Sequence, residues 1–204
     1  MDIFPSSKKL AENLLAIIRL PLTDDTTRVR LSDVACSLSI EHYHATSTLL
    51  EGDFLSSAMT IHRAQFESLL RSIWLLFCAN DNDIEKLSAE LNLDTEQAAK
   101  NMPQVAQMMA AIEKKAPKNV YDTLARFKEH NWKAMNSYTH AGIHPINRHM
   151  KGYPSLLIEN VMKNVNGLFV VACMQAVVLS GMQSLQKQIL REALSIPHCM
   201  PDLL

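Results

Sequence analysis

Two short stretches of this chain place chemistry-bearing side chains at helical spacing. The first is "HRAQFESLLRSIW", His62–Trp74. At about 100° per residue, Arg63, Glu67, Arg71 and Trp74 fall on one narrow stripe. Guanidinium forks match phosphate oxygens, so Arg63 and Arg71 are candidate phosphate-binding residues. Glu67 between them is a candidate catalytic carboxylate. The stripe reads equally as an i,i+4 ion-pair network, Arg63–Glu67–Arg71. Trp74, pointing along the same direction, is expected to shield part of it from water. Phe66, Leu70, Ile73 and Phe77 occupy the adjoining, core-facing side, with Leu69 a little beyond.

The second stretch is "WKAMNSYTHAG", Trp132–Gly142, which reads as the last turns of a helix ended by glycine. Lys133, Asn136 and His140 share one face of it. His140 is the best acid–base candidate in the chain, because a histidine ordinarily titrates near neutrality. Lys133, two turns back, would hold an anion, and Asn136 would orient a substrate or the imidazole ring. The same face runs back through Glu129, Arg126 and Asp122, so it also reads as an ordinary solvated surface. Val120, Leu124, Phe127, Met135 and Tyr138 lie opposite, with Trp132 and Tyr121 toward one flank. No nucleophile elbow, P-loop or dinucleotide-binding glycine pattern accompanies these residues.

Beyond Gly142 come His144, Arg148 and His149. Arg148 joins the candidate phosphate-binding set. The spacing of His140, His144 and His149 suggests metal, but Gly142 and Pro145 are expected to interrupt any helix there. That stretch also lacks a carboxylate or cysteine to complete a ligand set. Neither a metal nor a cofactor is assigned. His42 and His44 stand two residues apart on another helix and do not face each other.

The elements that must carry these residues are helical. Glycines number five, while methionine, leucine, alanine and the long charged residues dominate. Breaks at Pro21–Thr27, Glu51–Asp53, Asn80–Asp83, Pro117 and Ala141–Pro154 divide the chain. A first helix is expected over about 7–20, a second over 31–50 stopped by Gly52, and a third from an Asp53 cap to about Ala79. "NDNDIEKLSAELNL" reads as a capped connection with a short helix. Further helices are expected over 95–115, and from Pro117 to His140. "GIHPINRHMKGYP" reads as a long loop. One final helix over 156–193, capped by Ser155, is expected to kink near Gly181. The expected architecture is all-α: an up-and-down bundle of four long helices plus shorter ones. Residues 1–204 form one domain, in which 1–30 are peripheral and 31–193 make the core.

Composition bounds the function. With 48% apolar residues, 20% charged residues and a net charge of −1, the chain has no bulk positive field for non-specific nucleic-acid binding. Cys36, Cys78, Cys173 and Cys199 are far apart and are expected to be buried thiols in a reducing compartment. The N-terminal "MDIFPSSKKLAENLL" lacks a secretory pattern. "GLFVVACMQAVVLSGM", Gly167–Met182, is interrupted by Gln175 and is expected to be a central core helix rather than a membrane span. A cytoplasmic protein is expected.

"HRAQFESLLRSIWLL" followed about 65 residues later by "NWKAMNSYTHAGIHPINRH" resembles uncharacterised bacterial proteins related to the HEPN superfamily, including abortive-infection-like members. The likeness in helical layout covers about 31–190, and its motif content is confined to those two stretches. It implies a site made of an arginine, four to six variable residues and a histidine, in a cleft between two protomers, with an acidic helper from a neighbouring helix. His140 matches the histidine, Glu67 resembles the helper with Arg71 one turn on, and Lys133 stands where the arginine would. The resemblance implies a homodimer in bacterial stress or phage defence that cleaves RNA without metal. Lysine lacks the bidentate fork. A non-catalytic module that binds nucleotide, RNA or a cognate protein partner, and dimerises through the apolar final helix, is the alternative.

Overall fold

Buried positions on one long helix recur at alternating spacings of three and four: Val29, Ser32, Cys36, Ser39, Tyr43, Thr46 and Leu50. Such a register keeps one seam facing a partner helix. The partner is the next helix, where Leu55, Met59, His62, Phe66, Leu69 and Ile73 repeat in the same way. These are α2, Thr27–Glu51, and α3, Leu55–Phe77, in a computed structural model that describes residues 3–201 apart from the side chains of Ala98 and Ala99. Residues 1–2 and 202–204 of the expected domain lie outside the described residues. The seam side chains on α2 are mostly small, so the two backbones approach closely. Ser32 Oγ donates to Ser72 O at 2.8 Å, and Ser39 Oγ donates to Gln65 O at 2.9 Å.

Ten α-helices and two short 3₁₀ turns follow one another, and no strand occurs among the described residues. The remaining helices are α1, Ile3–Ile17; α4, Asp81–Ser88; α5, Leu93–Ala99; α6, Val105–Lys115; α7, Lys118–Thr139; α8, Ile143–Lys151; α9, Ser155–Leu179; and α10, Gln186–Ser195. α3 packs against α2, α6, α7 and α9, and α9 in turn packs against α1, α2 and α10. α9 is long and apolar enough to cross a membrane by length and composition alone, but most of it is buried inside the fold. All four cysteines are buried and free, and burial pushes the Cys36 thiol up to about 12.

Several expectations need correction. α1 is not peripheral: Leu10 and Leu14 are wholly buried, and Asn166 Nδ2 donates from α9 to Ser7 Oγ at 2.8 Å. Asp53 does not cap α3. It adopts a left-handed conformation (φ 63°) at the end of α2, where Phe54 N–H reaches back to Leu49 O. The helix expected over 95–115 is two helices, parted around Pro103, because proline cannot supply the backbone donor that a continuous helix needs. The final long helix is also two. Gly181 takes φ 71° and Met182 N–H bonds to Val177 O, which ends α9 before α10 begins. The expected loop after Gly142 contains α8, since Pro145 falls in its first turn, where a missing donor costs nothing.

Electrostatics tie the helix ends together. Arg28 at the start of α2 donates from Nη1 to Leu75 O (2.9 Å) and Ala79 O (2.7 Å), and Lys115 Nζ donates to Cys78 O at 3.0 Å. Cations thus meet the carbonyls that α3 leaves unpaired, at the negative end of its dipole.

One buried polar group makes the fold sensitive to acid. His62 is 1% exposed, its Nδ1 donates to Gln65 Oε1 at 2.8 Å, and its Nε2 has no partner. Burial holds the ring down to about 4, against 6.5 for a free histidine. The unfolded chain therefore binds a proton that the fold refuses. The stabilisation is complete above about pH 6.5 and falls away as pH drops toward 4, by about 3 kcal/mol in all. Urea unfolding at pH 7 and pH 4.5 is expected to show His62→Gln with a smaller loss of stability on acidification than the parent. An equal loss in both proteins would remove His62 as the cause.

Candidate functional site

The two stripes meet. Arg63 on α3 donates from Nη1 to His140 Nε2 at 3.1 Å. Its Nε donates to Glu67 Oε1 at 2.7 Å, one turn along the same helix. The guanidinium also lies over the Trp132 ring, 5.0 Å from its centroid. A cation–π contact of this kind is worth about 0.5–1 kcal/mol near a surface. Arg63 is thus fixed on three sides by a carboxylate, an imidazole and an indole, while only 22% of its side chain is exposed.

His140 reaches Arg63 because it is no longer helical. It is the capping residue after α7, with φ −108° and ψ 24°. The next residue, Ala141, takes the left-handed conformation (φ 51°) and Gly142 N–H bonds back to Ser137 O at 2.7 Å. The chain therefore turns at Ala141, not at the glycine expected to end the helix. Gly142 is needed for a different reason: a Cβ there would stand 2.6 Å from Ser137 Oγ. That hydroxyl also accepts from His144 N–H, which starts α8.

The contact sets the chemistry of the imidazole. A guanidinium can only donate, so Nε2 is the accepting nitrogen and the proton of the neutral ring is on Nδ1. A ligand anion that takes Arg63 frees the Nε2 lone pair.

Arg63, Glu67 and Arg71 line a groove of about 720 Å³ between α2, α3, α6 and α7, with Trp132 on one wall and Pro103 and Gln104 on another. Arg71 donates from Nη2 to Pro103 O at 2.8 Å and lies over the Trp74 ring, 5.3 Å from its centroid. Its Nη1 is buried without a partner. Burial pulls this guanidinium below its ordinary range, and the Glu67 and Asp83 carboxylates pull the other way. A buried spare donor beside a second guanidinium suits an anion.

The structure separates the rest of the expected set. Lys133 is exposed on the outer face of α7, and the cation at hydrogen-bond distance from His140 is Arg63 instead. Asn136 is half-buried one turn before His140, accepts the His140 N–H on its backbone oxygen, and keeps an unpartnered buried Oδ1. Arg148 lies on α8 near Tyr138, whose hydroxyl its charge favours in the ionised form against burial. It does not line the groove. No group of three or more His, Cys, Asp or Glu side chains is placed to share a metal among the described residues. Sequence reasoning left Trp132 on the flank of a buried face. Its signal was the aromatic residue immediately before Lys133, at the point where the polar face turns inward.

The family model "Family of unknown function (DUF6988)" matches residues 36–202. The chain belongs to that family. The matched segment holds every residue of the groove except Ala35, together with His140. No curated protein and no solved structure matches the chain.

The tautomer assignment is directly measurable. Long-range ¹H–¹⁵N spectra of the imidazole above pH 8 are expected to show His140 protonated on Nδ1, and to show a shift toward the Nε2–H form in Arg63→Met. An Nε2–H ring in the parent protein would contradict the contact.

Proposed function

We propose that this chain is a HEPN-like helical protein, built on the four long helices α2, α3, α7 and α9, that cleaves RNA without metal at the Arg63–His140 pair. The 3.1 Å contact between Arg63 Nη1 and His140 Nε2, beside a groove holding a second guanidinium, carries this reading. In it Arg63 supplies the bidentate fork that Lys133 lacks, delivered from α3 rather than from α7. Two cations, Arg63 and Arg71, take the non-bridging oxygens of a phosphodiester. Arg63 thereby leaves His140, whose freed Nε2 removes the proton of the 2′-hydroxyl. The 2′-oxygen bonds to phosphorus, the bond to the 5′-oxygen breaks, and the 5′-oxygen takes a proton from solvent. Glu67 positions Arg63, and Asn136 orients the turn that presents the ring.

The reading includes a cytoplasmic homodimer in bacterial stress or phage defence. The apolar side chains of Ile143, Ile146 and Met150, 74%, 62% and 72% exposed on α8 next to His140, support a second copy closing over the site. A second reading rests on the same contact: Arg63 holds the only accepting nitrogen of His140, which suits a groove that binds an RNA or nucleotide phosphate, or a partner protein's acidic segment, without turnover.

One experiment separates the two. Labelled RNA incubated with the purified protein in EDTA is expected to be cut to products with 2′,3′-cyclic ends. His140→Ala is expected to lower the rate at least ~100-fold, and Arg63→Lys roughly 10- to 100-fold through loss of the fork, while Lys133→Ala leaves most of the activity. Shifted but uncut RNA in the parent protein would favour the binding reading. Cleavage that survives His140→Ala would sink the assignment of the site.

A further inference from the structure

A second cavity, of about 340 Å³, lies between α7 and the first half of α9, closed at one side by Pro201. Two helical stripes make it. Thr123, Arg126, Phe127, His130 and Asn131 follow one another at spacings of three, one, three and one on α7, and Asn160, Lys163 and Asn164 at three and one on α9. Arg126 stands about 20 Å along the helix axis from His140, and neither Arg63 nor Glu67 lines this cavity.

Its lining is one-signed. Arg126, His130 and Lys163 converge on it, and no described Asp or Glu lines it. Arg126 and Lys163 supply the positive charge, and nothing acidic in the wall neutralises them. The floor is apolar, made of Phe127, Leu168 and Val171. Phe127 is held in place by stacking on Phe66, with ring centroids 5.0 Å apart.

The hydrogen-bonding groups are already oriented. His130 Nδ1 donates to Arg126 O at 2.8 Å, which leaves Nε2 toward solvent or a ligand. Asn131 Nδ2 donates to Phe127 O and Asn164 Nδ2 donates to Asn160 O, each at 3.0 Å. Both side chains therefore keep their carbonyl oxygens as acceptors. A pocket with an apolar floor, a few fixed polar groups and a volume near the lower end of the usual range takes a small organic ligand.

We infer that this cavity binds a compact aromatic phosphate monoester, with its flat body on Phe127, Leu168 and Val171 and its doubly charged head between Arg126 and Lys163. The head group follows from the charge count: two fixed cations and a histidine without a carboxylate suit a dianion. The flat body follows from the floor. The site is separate from the Arg63–His140 groove, and the inference does not depend on the function proposed for that groove.

The probe is 1-naphthyl phosphate, titrated against the full-length protein by calorimetry and by ¹H–¹⁵N spectra, with 1-naphthol and inorganic phosphate as the two halves of the ligand. The phosphate ester is expected to bind at least ten times more tightly than either half. The largest shifts are expected at the side-chain amides of Asn131 and Asn164. The double variant R126M/K163M is expected to weaken binding tenfold or more. Arg126 is on the surface and Lys163 half-exposed, and an unchanged spectrum outside the cavity checks that the variant is folded. Equal affinity for 1-naphthol, unchanged binding in the folded double variant, or shifts centred on the Arg63 groove would each overturn the assignment.

Discussion

Everything in this molecule is referred to the close seam between α2 and α3. Its α2 side is built from residues such as Ser32, Cys36, Ser39 and Thr46, all buried and all small. Small side chains bring the helix axes together, and the hydroxyls they carry then need partners, because an unpaired buried hydroxyl costs about 1–3 kcal/mol. For Ser32 and Ser39 the partners are supplied across the seam by the carbonyls of Ser72 and Gln65, while Thr46 Oγ1 is buried without one. Gln65 extends the pattern to a third helix by donating to Val165 O at 3.1 Å, and it accepts from His62. The backbone carbonyl of Gln65 meets α2 and its side-chain amide meets α9, so one residue sets α3 against both. Rotation of α3 about its axis would break all of these bonds at once. That is why Arg63, two residues before Gln65, points where it does.

The candidate site is then the consequence of two fixed geometries. The rotation of α3 is set by the buried network. The direction of His140 is set by the end of α7, where the left-handed Ala141 and the bond from Gly142 to Ser137 close the helix. Neither geometry depends on the other, yet they bring an imidazole nitrogen within 3.1 Å of a guanidinium. A non-glycine residue in that conformation costs roughly 1–2 kcal/mol. The fold carries that cost at the residue next to His140, which accords with a turn held in place for the side chain it presents.

What the sequence disclosed, and what it hid, follows from these same residues. Helices with large apolar side chains, α3 and α9, were legible because burial and hydropathy coincide there. The α2 seam was not, because serine, threonine and cysteine satisfy a packing register without an apolar signature. Helix ends were legible as regions and misplaced by up to four residues, and the junctions near Pro103 and Gly181 each divide what reads as one helix. Glycines at 52 and 142 marked the right turns, but Asp53 and Ala141 are the residues that turn left-handed. The stripe Arg63–Glu67–Arg71 was read correctly from periodicity, since it lies inside a regular helix. His140 is exposed, as an ideal wheel places it, but extending the wheel past the point where the helix stops hides its contact with Arg63. Lys133, seven residues earlier, does obey the wheel, and it stays in solvent. The second cavity was missed because its two halves lie on separate helices. A hint was present: Asn160, Lys163 and Asn164 are polar residues sharing one face near the start of the most apolar helix.

The two cavities share no lining residue, but one buried ring joins their walls. Phe127 lines the smaller one, Trp132 lines the larger, and both contact Phe66, at ring-centroid distances of 5.0 Å and 6.0 Å. Phe66 is wholly buried and belongs to the α2–α3 seam, and His62 meets the edge of Phe127 at 5.4 Å. Aromatic pairs of this kind contribute about 0.5–1.5 kcal/mol each beyond the area they bury. Close-packed rings have few alternative arrangements, so a shift of one is passed to its neighbours. Trp132 lies beneath Arg63, and Arg63 holds His140. The path from the floor of the small cavity to the imidazole therefore runs through residues in direct contact, and its rigid centre is the same seam that orients α3.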